Sequence, residues 1–371
     1  MKYYIIAGEA SGDLHASNLM KQLKQLDNKA DFRCWGGDLM KEQGAVLVKH
    51  YRELAYMGFI EVLFNIRTIL KNIKFCKSDI LLYKPDALIL VDYPGFNMKI
   101  AGFAKEAGIK VYYYISPQVW AWKQGRVKKI KQTVDKMFVI LPFEKDFYKR
   151  FDYDVEFVGH PLLDAIDNPE YKSNIASFRS AEGISDKPVI AILPGSRKQE
   201  IAKMLPVMLT VIDKFQGFEF VVAGVTSLPK EFYESMCAGY NVKIIYGKTY
   251  LLLSNAKAAM VTSGTATLET ALFGVPEVVC YKGSSLSFML AKKLVKVDYI
   301  SLVNLIMEKE IVKELIQKDF NSTNLTSELY ELLIEENSVE MKQQFAELKE
   351  KLGGFGASAK AAELMIANLK S

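Results

Sequence analysis

The sequence predicts an α/β protein of two domains, each a parallel sheet covered by helices on both faces. The length, 371 residues, suits two domains at roughly 150 residues each. Short, near-continuous Val/Ile/Leu runs alternate with longer amphipathic stretches, the pattern of strands buried on both faces. The alternation stops and restarts midway, across the polar, turn-rich stretch Leu163–Lys187, which contains Pro169.

In the first half the apolar runs predict strands at Tyr3–Ala7, Ala87–Val91, Lys110–Ile115, Lys136–Ile140 and Glu156–Val158. Helical spacing between them covers Leu14–Leu26, Ile60–Leu82 and Met98–Ala107. The second set of strands is expected at Val189–Leu193, Phe218–Ala223, Lys243–Tyr246, Ala259–Thr262 and Glu277–Tyr281. The last 50 or so residues read as helical, with Gly353-Gly354 ahead of a final helix, Ala357–Leu369. The expected domains are 1–165 and 166–350, with 351–371 a C-terminal helix returning to the first domain. Two Rossmann-like domains facing a cleft is the expected architecture. Ligands then belong beyond the carboxyl ends of the strands.

Composition excludes several classes. Half the residues are hydrophobic and a quarter charged, which is ordinary for a globular chain. The four cysteines lack metal or disulfide spacing, and three histidines argue against a His-rich metal site. Met1–Gly8 reads as a first strand, not a signal peptide, and no apolar run reaches spanning length. Residues 1–165 hold 25 Lys and Arg against 19 Asp and Glu, so the first half is basic. An anionic partner fits that charge, and so does ordinary surface variation.

Four loops at strand ends hold the chemistry. Ser263-Gly264-Thr265-Ala266-Thr267-Leu268-Glu269 opens a helix with small residues. Its free N–H groups suit a phosphate at Ser263, Gly264, Thr265 and Thr267, and Glu269 suits a ribose diol. The same residues also fit a helix capped by Ser or Thr, with Glu269 completing the box. Leu193-Pro194-Gly195-Ser196-Arg197 makes a tight loop ending in a guanidinium. Arg197 there suits a diphosphate, or an ion pair with Glu200. Gly8-Glu9-Ala10-Ser11-Gly12-Asp13-Leu14-His15 is a substrate-facing turn without a dinucleotide or P-loop pattern. Val91-Asp92-Tyr93-Pro94-Gly95-Phe96-Asn97 places Asp92 at a strand end, as a general base or a helix cap.

His160 follows a strand near the domain boundary. Asp152-Tyr153-Asp154 spells DxD but precedes a strand, so it reads as a solvated turn and no metal is expected. Met57–Phe64, with Phe59, Ile60 and Leu63, is apolar and is followed by Arg67, Lys71 and Lys74. This is the arrangement of an interfacial membrane segment, or of a core helix. Trp120-Ala121-Trp122-Lys123 leads into further bases and suits a membrane interface as well as nucleic acid.

In order, these pieces resemble the lipid-A-disaccharide synthases, glycosyltransferases of the GT-B fold. The matching segments are Glu9–Asp13, Met57–Val62, Asp92–Asn97, Tyr114–Trp122, Leu141–Lys145, Val158–Pro161, Leu193–Arg197, Ser263–Glu269 and Val297–Leu305. Gly95 and Val303 depart from the family pattern locally. The resemblance implies inverting transfer from UDP-2,3-diacylglucosamine to the 6-hydroxyl of 2,3-diacylglucosamine 1-phosphate (lipid X). It implies Asp92 as base, with His15 as second candidate, and Arg197 with the 263–267 helix start on the leaving UDP. It places Glu9, Ser11, Asp13, Asn97, His160 and Asn304 around the acceptor. No cofactor, metal or nucleic acid is implied. Expected partners are the two acylated sugars, an anionic membrane surface and a second copy of the chain. The expected place is the cytoplasmic face of the inner membrane. The alternatives are another GT-B enzyme, such as a UDP-GlcNAc 2-epimerase, and a non-catalytic lipid- or nucleic-acid-binding module.

Overall fold

The computed structural model describes residues 1–54, 66–121, 124–173, 175–283 and 298–370. The chain divides into two compact units, Met1–Ala165 with Leu352–Ser371, and Ile166–Lys351.

The first unit is built on seven parallel strands. These are β1 (Lys2–Ala7), β2 (Asp31–Gly36), β3 (Val46–His50), β4 (Ala87–Val91), β5 (Lys110–Tyr114), β6 (Lys136–Val139) and β7 (Glu156–Phe157). Their spatial order is β3-β2-β1-β4-β5-β6-β7. Period-two alternation splits the sheet into two apolar faces. Tyr4, Ile6, Leu88, Leu90, Val111 and Tyr113 pack with the helices Ile66–Tyr83, Pro94–Glu106 and Val127–Thr133. Tyr3, Ile5, Ala7, Ile89, Val91 and Tyr112 pack with the helix Ala10–Leu26 and with the C-terminal helix Ala357–Lys370. That last helix is anchored at both ends. Asp164 accepts the N–H groups of Gly356 and Ser358 at 2.7 and 2.8 Å, and Tyr112 donates to Asn368 at 2.8 Å. Gly159 and Gly353 let two backbones cross, since a Cβ on Gly353 would lie 3.2 Å from the Gly159 Cα.

The second unit repeats the plan with six parallel strands. They are β8 (Val189–Leu193), β9 (Glu219–Gly224), β10 (Val242–Tyr246), β11 (Ala256–Thr262), β12 (Glu277–Tyr281) and β13 (Lys313–Ile316), in the order β10-β9-β8-β11-β12-β13. Ile190, Ile192, Phe220, Val222 and Met260 line one core, with the helices Lys198–Leu209 and Ser322–Leu333 against them. Val189, Ala191, Val221, Ala259 and Val261 line the other.

Both sheets therefore reverse direction of growth once. The reversal lies between β1 and β4 in the first unit and between β8 and β11 in the second. At such a point neighbouring loops diverge to opposite faces and leave a crevice at the carboxyl ends. The loops after β1, β4, β8 and β11 are the four that carry the chemistry read from the sequence.

Candidate active site

In the first unit the β1 and β4 loops pack directly together. Gly8 has no side chain because the Tyr93 ring occupies that space, and a Cβ there would lie 2.3 Å from it. Asp92 and Tyr93 both take left-handed backbone angles, φ 44° and 49°. Such angles strain a non-glycine residue and persist only where neighbours enforce them. Here Asn97 Nδ2 donates to the Asp92 carbonyl at 2.7 Å and Tyr113 Oη donates to it at 2.6 Å. Pro94 starts the next helix at its first position, where the missing N–H costs nothing.

Burial in this turn pushes the Asp92 carboxyl up to about 6, with the charge of Glu9 adding to the effect. At neutral pH it is still mostly ionised, yet far more basic than an ordinary aspartate. That is the condition a general base needs. Its role as a cap is not observed: Tyr93, not Asp92, holds the N-cap position of the helix Pro94–Glu106, and no side chain caps it.

His15 differs. Burial lowers it to about 4, partly opposed by Asp164, so it is neutral and a poor proton acceptor near pH 7. His160 is lowered to about 3, by burial and then by His15. Its Nδ1 accepts the Leu162 N–H at 3.2 Å, which leaves the proton on Nε2. Ser11 is exposed and Glu9 half-exposed on the same loop.

In the second unit, Gly195 has φ 113° and Glu200 packs beneath it, where a Cβ would meet the carboxylate. Glu200 Oε2 accepts the Ser196 N–H at 3.0 Å. This pins the β8 loop and presents Arg197, exposed, at the N-cap of the helix Lys198–Leu209. After β11, the helix Thr265–Leu272 begins at Gly264 with no side-chain cap. Gly264 and Thr265 are exposed there, so this helix start has backbone N–H groups to offer to an anion. Glu269 does not close a capping box. Its Oε1 accepts the Tyr250 hydroxyl at 3.2 Å instead.

Five side chains expected at the site are engaged within their own units instead. Asp13 is buried, and its oxygens accept the N–H groups of Gly37, Leu39 and Met40 at 2.7, 3.1 and 3.2 Å. It caps the helix Asp38–Glu42 from a distance. Asn304 is fully buried, and its amide ties Ile311, Val312 and Glu314 together. The Thr267 hydroxyl turns back to the Gly264 carbonyl at 2.8 Å, and Ser263 Oγ donates to the Ile300 carbonyl at 3.0 Å. Asn97, also fully buried, positions the Asp92 backbone and does not face a substrate.

Of the membrane segment, Met57, Phe59, Ile60, Leu63 and Phe64 lie outside the described residues, as do Trp122 and Lys123. Arg67 and Lys71 are exposed on the helix Ile66–Tyr83, beside exposed Ile66 and Leu70. Among the described residues, no helix is long and apolar enough to cross a membrane. Asp152 and Asp154 are exposed in the turn before β7, at the opposite end of the strands from the loops above.

Each unit also holds groups near these loops to which the sequence reading assigned no role. Glu144, in Leu141-Pro-Phe-Glu-Lys145, is buried, and its Oε2 accepts the N–H groups of Ile140 and Leu141 at 3.1 and 2.9 Å. Burial pushes it up to about 7, and the charge of Asp92 acts in the same direction. Tyr113 and Tyr250 were missed because an aromatic in an apolar run reads as core.

The lipid-A-disaccharide synthetase family model matches residues 3–367. The lipid-A-disaccharide synthase of Syntrophus aciditrophicus is 38% identical, over 99% of this chain and 97% of its own. That of Geobacter metallireducens is 39% identical, over 98% and 96%. The solved UDP-GlcNAc 2-epimerase of Neisseria meningitidis bound to UDP-GlcNAc superposes with a TM-score of 0.71. It covers 99% of this chain and 100% of its own at 15% identity, a likeness of fold alone. Sequence identity along the whole chain thus sides with the synthases, not the epimerases. The chain belongs to the lipid-A-disaccharide synthase family, glycosyltransferases of the GT-B fold.

Proposed function

We propose that the protein transfers 2,3-diacylglucosamine from its UDP derivative to the 6-hydroxyl of 2,3-diacylglucosamine 1-phosphate. The products are the β(1→6)-linked disaccharide 1-phosphate and UDP. The observation that carries the mechanism is Asp92: a carboxylate in a strained, half-buried turn at the β1/β4 crevice, with its basicity raised to about 6. Asp92 takes the proton of the acceptor hydroxyl as its oxygen attacks the anomeric carbon from the face opposite UDP, inverting the configuration. UDP leaves with the bonding electrons. The Arg197 guanidinium and the N–H groups at Gly264 and Thr265 receive the charge that develops on the diphosphate. Gly195 and Ser196 shape the loop that delivers Arg197, and Glu269 accepts from the ribose hydroxyls. Glu9, Ser11 and His160 line the acceptor side of the first unit. The low basicity of His15 favours Asp92 over it as the base.

Both sugars carry acyl chains, so the enzyme works at a lipid surface. The exposed Arg67 and Lys71, with Met57–Phe64 ahead of them in sequence, seat it on the anionic cytoplasmic face of the membrane. The test is UDP release with both acylated sugars supplied in mixed micelles. Wild type releases UDP only when both are present, and Asp92→Asn loses at least about a hundredfold in kcat. Full activity in folded Asp92→Asn would remove Asp92 from the mechanism. Changing Phe59, Ile60 and Leu63 to Ser is expected to weaken binding to anionic vesicles while micellar turnover persists. Equal vesicle binding by the folded triple variant would exclude that segment as the seat.

A further inference from the structure

Glu269 is held by an arrangement that its place on the helix does not require. Three separate stretches of the second unit converge on its partner, Tyr250: the helix Glu170–Ser173, the helix Thr249–Leu253 that carries it, and the end of the helix Thr265–Leu272. Tyr250 lies at the centre. Its ring packs edge-on to Tyr171, with centroids 5.5 Å apart at 79°, and against Phe273 at 5.3 Å and 41°. Tyr171 and Phe273 also touch, at 6.1 Å. This trio fixes the ring, and the ring aims its hydroxyl at Glu269 Oε1, 3.2 Å away. Among the described residues this hydroxyl is the only side-chain donor to the Glu269 carboxylate, which leaves Oε2 for another donor.

Chemistry explains why such a clamp is useful. A vicinal diol offers two O–H donors, and a carboxylate binds both only if it is ionised and held in one rotamer. Burial works against ionisation of Glu269, and the Tyr250 hydrogen bond works for it. An unclamped glutamate would also lose rotamer freedom on each binding event. We propose that Tyr250 is a positioning residue that orients Glu269 for the ribose diol, and so sets the preference of this site for a ribonucleotide. This rests on the assignment of Glu269 to ribose made above.

The experiment compares UDP with 2′-deoxy-UDP by calorimetry, in the intact protein and in Tyr250→Phe. Phenylalanine keeps the ring and its packing, so the variant keeps the fold, which a melting curve checks. Wild type is expected to bind UDP at least tenfold more tightly than 2′-deoxy-UDP, as a site built around a hydroxyl rejects the analogue lacking it. In Tyr250→Phe that ratio falls below about threefold, while affinity for 2′-deoxy-UDP stays within twofold of wild type. With the full substrates, KM for the UDP-sugar rises about tenfold and kcat changes less than threefold. If wild type does not discriminate between the two nucleotides, the assignment of Glu269 to ribose fails, and this proposal with it. If wild type discriminates and Tyr250→Phe discriminates equally well, Tyr250 is not the positioning residue, although the Glu269 assignment stands. Equal weakening toward both nucleotides in the variant would mark Tyr250 as structural only, and overturns the proposal as well.

Discussion

The pH dependence of turnover tests the base assignment most directly. Burial, and then the charge of Glu9, lift Asp92 to about 6 from an ordinary value near 3.8. A base must be ionised to act, so kcat/KM falls as pH drops through its value in the free enzyme. With Asp92 at about 6, roughly nine-tenths is ionised at pH 7 and about one-tenth at pH 5. The expected loss between these pH values is therefore about tenfold. An unperturbed aspartate would lose less than about a tenth of its ionised fraction over the same range. The acceptor's phosphate monoester also titrates near pH 6, which alone would bend the profile. Glu9→Gln separates the two. It removes a charge that raises Asp92, so the acid limb must move to lower pH, whereas the substrate's titration cannot move. The assay is initial UDP release at subsaturating acceptor in micelles, from pH 5 to 8, with circular dichroism confirming the fold at each pH. A flat profile, or an unmoved limb in Glu9→Gln, would refute the assignment.

Three further outcomes are expected. Arg197→Ala lowers kcat/KM by at least about two orders of magnitude, as loss of a charged transition-state contact does, and activity within threefold of wild type would eliminate that role. Dialysis against EDTA leaves turnover intact, and a loss restored by Mg²⁺ or Mn²⁺ would bring Asp152 and Asp154 back into consideration. Glu277 is fully buried with neither oxygen hydrogen-bonded among the described residues, and burial raises its carboxyl well above the usual range. The folded state thus keeps a proton that the unfolded state releases above about pH 4.5, so stability declines as pH rises past that point. Glu277→Gln should flatten this dependence and melt above wild type at pH 8; a melting temperature below wild type there would show that the carboxyl is stabilising.

Much of this protein was legible without coordinates. The strands β1, β4, β5, β8 and β11 are continuous apolar runs because both faces of a doubly wound sheet are covered, and that burial writes itself into composition. The reactive loops were legible too, since glycines, small residues and a single charge at a strand end have few other uses. The sequence reading passed over β2, β3 and β13. Asp31–Gly36 follows a helix closely and mixes Arg33 with Phe32, while Val46–His50 and Lys313–Ile316 are edge strands with only one neighbour. An edge strand tolerates Lys and Glu that an inner strand rejects, so its signal is weak.

What only the tertiary structure decided is where side chains point and what they meet. Asp13 and Asn304 carry the right chemistry for a site, yet Asp13 is used up by backbone groups and Asn304 by backbone groups and the Glu314 carboxylate. Those of Asp13 lie 24 to 27 residues away, a partnership no local pattern encodes. Asp92 reads as any strand-end carboxylate. Its raised basicity comes from desolvation and from Glu9, brought near by β1 and β4 pairing side by side. The Tyr250–Glu269 contact is of the same kind, joining two helices separated by the whole of β11. The one-dimensional pattern records how much apolar surface each segment must bury. Hydrogen bonding and electrostatics depend on distances of a few ångströms, and only the folded chain sets those.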